Sequence, residues 1–328
     1  MRRREFVGLL SGATLALPLS TRAQPAGGPR IGYLGIATPE AFETRLRAFR
    51  EGLRELGYEE GRNLVVEYRW ARGHNELLPS LAADLVRADV SVIAAPGGVA
   101  SALAAKAATS KIPIVFEIGA DPVEAGLVSN LSHPSGNITG ISSLNTQIGP
   151  KRLELLHEIV SAGKIFALVV DPTNPKNAVT AVQNLQQAAR NLGVKIEVVN
   201  ASTEADFEPL FAKLAELKAS GLVVNNDPFL SARAKKLAEL TLRQSLPAVH
   251  QSRDFAAAGG LLSYGGSISQ SHHQAGVYVG RILAGEKVTD LPVQQITKVE
   301  MTVNLKTARI LGLTLPLPLI GGADEVIE

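Results

Sequence analysis

The side chains that could do chemistry in this chain gather at short polar breaks after apolar runs. These breaks are Leu34-Gly35, Pro96-Gly97-Gly98, Glu117 to Asp121, Asp171, Asn225-Asn226-Asp227 and His250-Gln251. They read as strand ends, and in open α/β sheets ligands sit beyond the carboxyl ends of the strands, where helix N-termini favour anions. The chemistry on offer is recognition of a small polar molecule. Gly97 and Gly98 let a carboxylate approach backbone N–H groups at the start of the next helix, or make a tight turn that needs no ligand. Asn226 and Asp227, placed before Pro228, form an acceptor pair that suits an ammonium group or caps the next helix. His250 stands out among the histidines because it ends a predicted strand, and Tyr264 offers an aromatic wall.

Reactions that make or break bonds find little support. The segment GGLLSYGG has no glycine two residues before Ser263, so it is not a nucleophile elbow. There is no GxxxxGK[ST], and the glycines of IGYLG do not form GxGxxG. The chain has no cysteine, which removes thiolate nucleophiles, disulfides and cysteine-type zinc sites. Adjacent His272 and His273 on a predicted helix point in different directions, which is poor metal geometry. His74, His133 and His157 are isolated. No catalytic residue, metal or cofactor is expected.

The elements that hold these breaks alternate. After IGYLG, the residues Phe42, Leu46, Phe49, Leu53 and Leu56 recur at spacings of four and three, which places them on one helix face with the neighbouring arginines and glutamates mostly outside it. Gly57 supplies the stop. Strands NLVVEYR, VSVIAA and IPIVFE follow, with helices around Leu78 to Leu85 and Ala100 to Ala108 between them. The second half repeats the plan, with strands KIFALVV, VKIEVVN, SGLVVN and LPAVH and helices near 176–191, 204–218 and 230–244. Repeated βα units predict parallel sheets covered on both faces, and two such series predict two similar lobes.

The stretch DPVEAGLVSNLSHPSGNITGIS, residues 121–142, falls between the two series. Its glycines and prolines suit an extended crossover that flexes at few points, or an ordinary surface loop. GGLLSYGGS and LPVQQITKVEMTVN, at 291–304, are two further extended stretches able to return the chain between lobes. Three crossings would make a hinge.

The chain opens MRRREFVGLLSGATLALPLSTRAQ, with arginines, an apolar run from Phe6 to Leu19 and small residues before Gln24. That is the layout of an export signal cleaved near Ala23, and the run is too short to span a bilayer. Arg3 and Arg4 leave the twin-arginine and Sec routes both open. The segment carries four arginines and one glutamate, so the formal net charge of +2 becomes −1 without it. The remaining chain shows no nucleic-acid footprint and no polybasic membrane patch, and is expected to be a soluble, exported monomer without membrane insertion.

These segments, with FREGLRELGYEEGRNLVVEYRWARG, KRLELLHEIV and the ending NLKTARILGLTLPLPLIGGADEVIE, resemble the ABC-transporter substrate-binding family that includes tryptophan- and tyrosine-binding transport proteins. The resemblance covers essentially the whole chain after residue 23. It implies the type I periplasmic-binding-protein fold, an α/β arrangement of two Rossmann-like lobes joined by a three-crossover hinge. The lobes expected are 31–141 with 266–290, and 142–265 with 291–328, after a signal peptide at 1–23 and a linker at 24–30. It also implies a periplasmic solute-binding role, in which the lobes close on an amino acid or an aromatic or aliphatic carboxylate. ABC permease and ATPase subunits would be the partners. The family's ligand loops fall on Pro96-Gly97-Gly98-Val99, on Gly119-Ala120-Asp121 and on Asn226-Asp227. Two hydroxyl positions of amino-acid-binding members are Gly98 and Ala120 here. A ligand-sensing module for a membrane receptor and an exported α/β enzyme are the alternative roles.

Overall fold

The computed structural model describes residues 28–134 and 136–328. The expected export signal, and most of the linker after it, lie outside the described residues. The first lobe is laid down as β1 (Arg30–Gly35), α1 (Glu43–Glu55), β2 (Val65–Trp70), α2 (Leu78–Arg87), β3 (Val92–Ala95), α3 (Val99–Ala108), β4 (Ile114–Ile118) and β5 (Ile138–Ser142). The second follows as α4 (Gly149–Ile159), β6 (Ile165–Val170), α5 (Pro175–Leu192), β7 (Lys195–Asn200), α6 (Phe207–Glu216), β8 (Gly221–Val224), α7 (Pro228–Ala232), α8 (Ala234–Arg243), β9 (Ala248–His250), α9 (Arg253–Ala257) and β10 (Leu262–Gly266). The chain returns to the first lobe for α10 (Ile268–Leu283) and β11 (Gln294–Gln295). It finishes in the second with β12 (Val299–Asn304), α11 (Leu305–Ile310), α12 (Leu317–Gly321) and β13 (Glu325–Ile327).

The strand order is β11-β5-β4-β3-β1-β2 in one sheet and β13-β12-β10-β9-β8-β6-β7 in the other. All of these pairings are parallel except β10 with β12. The alternation of side chains along β6 shows why a continuous apolar run is needed. Phe166, Leu168 and Val170 enter one core and Ala167 and Val169 enter another, so helices cover both faces. Phe42 at the entry to α1 and Leu46, Phe49 and Leu53 within it are buried as the spacing predicts, whereas Leu56 is 38% exposed. The helix ends at Glu55, and Gly57 takes the left-handed turn at φ 82° that carries the chain away from the stripe.

Three crossings join the lobes: after β5, after β10 and between β11 and β12. The stretch 121–142 is not one of them. β4 and β5 are neighbours in the same sheet, so the connector between them stays in the first lobe, and its apolar residues Ala125, Leu127 and Val128 fill that lobe's core. The first crossing is the shorter run from Ser143 to Ile148. The return also runs longer than expected, because Gln294 and Gln295 pair with β5; residues from 291 therefore rejoin the second sheet only at Val299.

One contact fixes the site's back wall. A Cβ added to Gly52 of α1 would lie 2.0 Å from the His273 carbonyl oxygen, and one added to Gly276 of α10 would lie 2.1 Å from the Phe49 carbonyl. These glycines allow α10, which arrives from the second crossing, to lie backbone-close against α1. The close crossing sets Arg45 and His272, far apart in sequence, around one space.

Candidate functional site

The two lobes meet around a narrow, partly open cavity of about 50 Å3. The first lobe contributes Phe42 just before α1, Arg45 from α1, the Pro96-Gly97-Gly98 turn, Glu117 at the end of β4, and Ile268 and His272 from α10. The second contributes Asn226, Pro228 and Gln251 from its own strand ends. Strand ends from both sheets converge here, as the sequence predicts for the carboxyl edge of a parallel sheet.

The predicted residues separate at single-residue resolution. Gly97, Gly98, Ala120 and Asn226 line the cavity. Gly98 has φ 88° and starts α3 with no side-chain cap, which suits a residue without a Cβ. Asp121 turns back on its own loop, where its Oδ1 accepts from the Val123 N–H at 2.7 Å and the Glu124 N–H at 3.1 Å. It faces an adjoining space instead. Asp227 is 2% exposed and caps α7: its Oδ1 accepts from the Phe229 N–H at 2.7 Å, and its Oδ2 from Asn174 Nδ2 at 3.0 Å. Burial and the nearby Asp171 push its carboxyl up to about 7. His250 is fully buried, with its Nε2 3.5 Å from Ser231 Oγ and its pKa driven well down by burial. Tyr264 lies in β10 opposite Met301, packs on the second lobe's core and does not line the cavity. The aromatic wall is Phe42.

Residues that sequence reasoning passed over complete the site. Arg45 stacks on Phe42, its guanidinium carbon 4.4 Å from the ring centroid, and has no carboxylate oxygen within 4 Å among the described residues. Burial pulls its pKa down, and Glu117 opposes that shift. Glu117 is 8% exposed; burial pushes its carboxyl up to about 7, offset in part by Ser271, whose Oγ is 2.9 Å from Glu117 Oε1. His272 is 1% exposed, and its Nδ1 lies 3.0 Å from the Ile268 carbonyl. A carbonyl only accepts, so Nδ1 carries the proton and Nε2 is left as an acceptor. That Nε2 has no hydrogen-bond partner and is 3.8 Å from Glu117 Oε2. Burial and the Arg45 charge hold the ring neutral, with a pKa of about 3. Gln251 donates from Nε2 to Ser231 Oγ at 2.9 Å, while its buried Oε1 is unpartnered. Arg45 sits beside the apolar stripe of α1, and no local pattern marks it as facing a second lobe.

The lobes touch directly around the cavity. Asn75 Nδ2 donates to Thr173 Oγ1 across the cleft at 3.1 Å, and Asn226 Nδ2 lies 3.5 Å from Thr146 Oγ1. A Cβ on Gly98 would lie 2.9 Å from Pro228 Cγ, and one on Gly119 would lie 1.9 Å from Asn226 Nδ2. These contacts describe a closed cleft. Among the described residues no group of three or more histidine, aspartate or glutamate side chains could hold a metal, and no helix is long and apolar enough to cross a membrane.

Comparison with known proteins gives one family. The family model described as ABC transporter substrate binding protein matches residues 33–327. A tyrosine-binding protein of Clostridioides difficile (strain R20291) is 25% identical over 283 residues, covering 86% of this chain and 81% of that one. The crystal structure of a conserved domain protein from Vibrio cholerae O1 biovar El Tor superposes with a TM-score of 0.83 at 27% identity, covering 91% of this chain and 99% of that one. A Streptococcus pneumoniae ABC domain in complex with L-Trp gives 0.82 at 21% identity, covering 92% and 100%.

Proposed function

Since the chain belongs to the ABC transporter substrate binding protein family, we propose that it closes its two lobes on one small organic ligand, an amino acid or a related carboxylate, and presents the closed form to a membrane permease served by an ATPase. The single observation that carries the reading is the pair of buried, unpartnered acceptors on residues that line one cavity from opposite lobes. Gln251 Oε1 comes from the second lobe and His272 Nε2 from the first. A buried polar atom without a partner costs about 1 to 3 kcal/mol, so a ligand that supplies donors to both atoms favours the closed form over the open one. The names of the relatives, a tyrosine-binding protein and an L-Trp complex, support an amino acid as the ligand class.

Binding rather than catalysis suits the polar cluster in the cleft. Glu117 and His272 are shifted titrating groups, but His272 spends its Nδ1 on a backbone carbonyl. The Ser271 hydroxyl is shared between Glu117 and the Ile268 carbonyl of its own helix. No nucleophile here is held by a base that is itself oriented by a third group. In this reading residues 1–23 are an export signal cleaved near Ala23, by the twin-arginine or the Sec route, and the protein works outside the cytoplasm. Small-angle scattering tests the closure: the radius of gyration decreases when ligand is added to protein stripped of it, and mass spectrometry of the material released on stripping names the ligand. An unchanged radius at saturation with that molecule removes the hinge account.

A further inference from the structure

We propose that a hydroxyl-lined chamber beside the second crossing, separate from the ligand cavity, binds a small oxyanion of the phosphate class, and that the bound anion ties the two lobes together. The chamber measures about 330 Å3 and lies between the starts of α1 and α10 on the first lobe and β10, β12 and the start of α9 on the second. Strand alternation makes its floor polar. Leu262 and Tyr264 of β10, with their partners Val303 and Met301 of β12, pack on the second lobe's core. Between them Ser263 and its partner Thr302 project from the other face and line the chamber. Both faces of β6 in the same sheet are apolar, whereas this covered face carries two hydroxyls. Ser263 is 2% exposed and Thr302 4%, and neither hydroxyl has a hydrogen-bond partner among the described residues. Buried hydroxyls are ordinarily paired; these two stand side by side as donors to whatever fills the space.

Charge decides what fills it. Of the charged side chains that border the chamber, two are neutralised: Arg253 by Glu325, at 2.6 and 2.5 Å, and Glu300 by Lys298, at 3.1 Å. Arg45 and Arg47 are not, since neither has a carboxylate oxygen within 4 Å among the described residues. The remaining carboxylate, Asp254, lies at the exposed rim. Two cations against one anion, with two hydroxyl donors beneath them, suit a tetrahedral oxyanion that accepts from guanidinium and hydroxyl groups together. Arg45 and Arg47 belong to the first lobe, Ser263 and Thr302 to the second. An anion held by both sets is fully coordinated only in the closed form, so it favours closure. Arg45 and Gln251 line the ligand cavity as well, and the anion therefore steadies a wall of that cavity from behind. The two sites are coupled reciprocally: the factor by which phosphate tightens the ligand is the factor by which the ligand tightens phosphate. The anion site stands on the chamber's own residues, and the coupling alone rests on the binding role proposed above.

Calorimetry on stripped protein tests the site with inorganic phosphate as the probe, the ionic strength being held constant with sodium chloride. Saturable phosphate binding is expected, with sulfate competing for it. Thr302→Val keeps the shape and removes a donor, and lowers phosphate affinity about tenfold, as loss of a hydrogen bond to a charged group does. Arg47→Gln, at a more exposed position, lowers it about two- to fivefold, and Asp254→Asn raises it by a similar factor. Should Thr302→Val not fold, Ser263→Ala replaces it with the same expectation. Scattering shows a smaller radius of gyration in phosphate than in chloride at equal ionic strength, and an unchanged radius with phosphate bound overturns the tie between the lobes. No saturable binding up to about 10 mM phosphate, or chloride matching phosphate in every readout, overturns the site, because the chamber then holds water and the arginines are merely screened. Phosphate binding that the Thr302 and Asp254 variants leave unchanged lies elsewhere on the protein and overturns it equally. If no molecule is released on stripping and no organic solute closes the cleft, the binding role falls, while phosphate binding that is weakened in Thr302→Val keeps the anion site.

Discussion

Asp227 shows how finely a site is cut at the level of single residues. Both its oxygens are spent inside the second lobe, on the first turn of α7 and on Asn174, while its neighbour Asn226 faces the cleft. Asp227→Ala removes a cap and leaves buried N–H groups unpaired, so it is expected to cost about 1 to 2 kcal/mol of stability. Its effect on affinity for the released ligand should stay within about threefold, because a loss much beyond that corresponds to a lost contact. Thermal unfolding with and without ligand separates the two: a cap lowers the melting temperature and keeps the full ligand-induced rise. The same residue carries a pH signature. A carboxyl whose folded pKa is raised to about 7 binds more protons in the folded state than in the unfolded one. Its contribution to stability is therefore present below about pH 4 and lost as pH rises toward and through 7. Asp227→Ala should flatten the stability profile in that window.

At the level of elements, Arg152 ties the hinge together. It projects from α4, is 1% exposed, and donates from Nε to the Tyr264 carbonyl at 2.6 Å and from Nη2 to the Asn145 backbone and side-chain oxygens at 3.0 Å. Asn145 lies on the first crossing and Tyr264 is in β10, just before the second, so one side chain holds two crossings in register. Burial brings its pKa down to about 9, and the guanidinium stays charged at neutral pH. Arg152→Met keeps most of the volume and takes the guanidinium away from the Tyr264 and Asn145 carbonyls, while Asn145 Oδ1 keeps the Gly266 N–H. The expected outcome is a loss of at least about 3 kcal/mol in denaturant unfolding, from two or more unsatisfied buried groups. A loss below about 1 kcal/mol would show that water replaces the guanidinium and that the crossings are held elsewhere.

The whole molecule has two states to balance, and Gly119 gives a handle on that balance. Its φ lies outside the left-handed region, so a side chain is tolerated by its own backbone, and the atom that a Cβ would strike belongs to Asn226 of the other lobe. Gly119→Ala, whose Cβ also comes 3.3 Å from Asn145 Cβ on the first crossing, should disturb the open form little and oppose closure. Overpacking of about 1 to 3 kcal/mol in the closed form alone lowers ligand affinity roughly five- to a hundredfold. The melting temperature without ligand changes little, and scattering shows a larger radius at equal ligand concentration. A variant that binds as tightly as the parent would mean that the cleft closes less far than the contacts Asn75–Thr173 and Gly98–Pro228 indicate.

The order of βα units, the strands and helices, and the doubling into two lobes were legible from residue types alone, because apolar period and stop signals are local. VSVIAA and KIFALVV must be buried on both faces, and the stripe from Phe42 to Leu53 has one buried side. The strand-end positions of the site were legible for the same reason. What only the tertiary structure decided was which of two adjacent residues faces the cleft. Successive side chains at a strand end point to opposite sides, so Gln251 and Asn226 face the cavity while His250 and Asp227 are buried away from it. Equally hidden was the meeting of Arg45, Glu117, Gln251 and His272, drawn from α1, β4, the second lobe and α10. Their assembly depends on where the crossings fall and on how closely α1 and α10 pack through Gly52 and Gly276, and no local pattern carries that information.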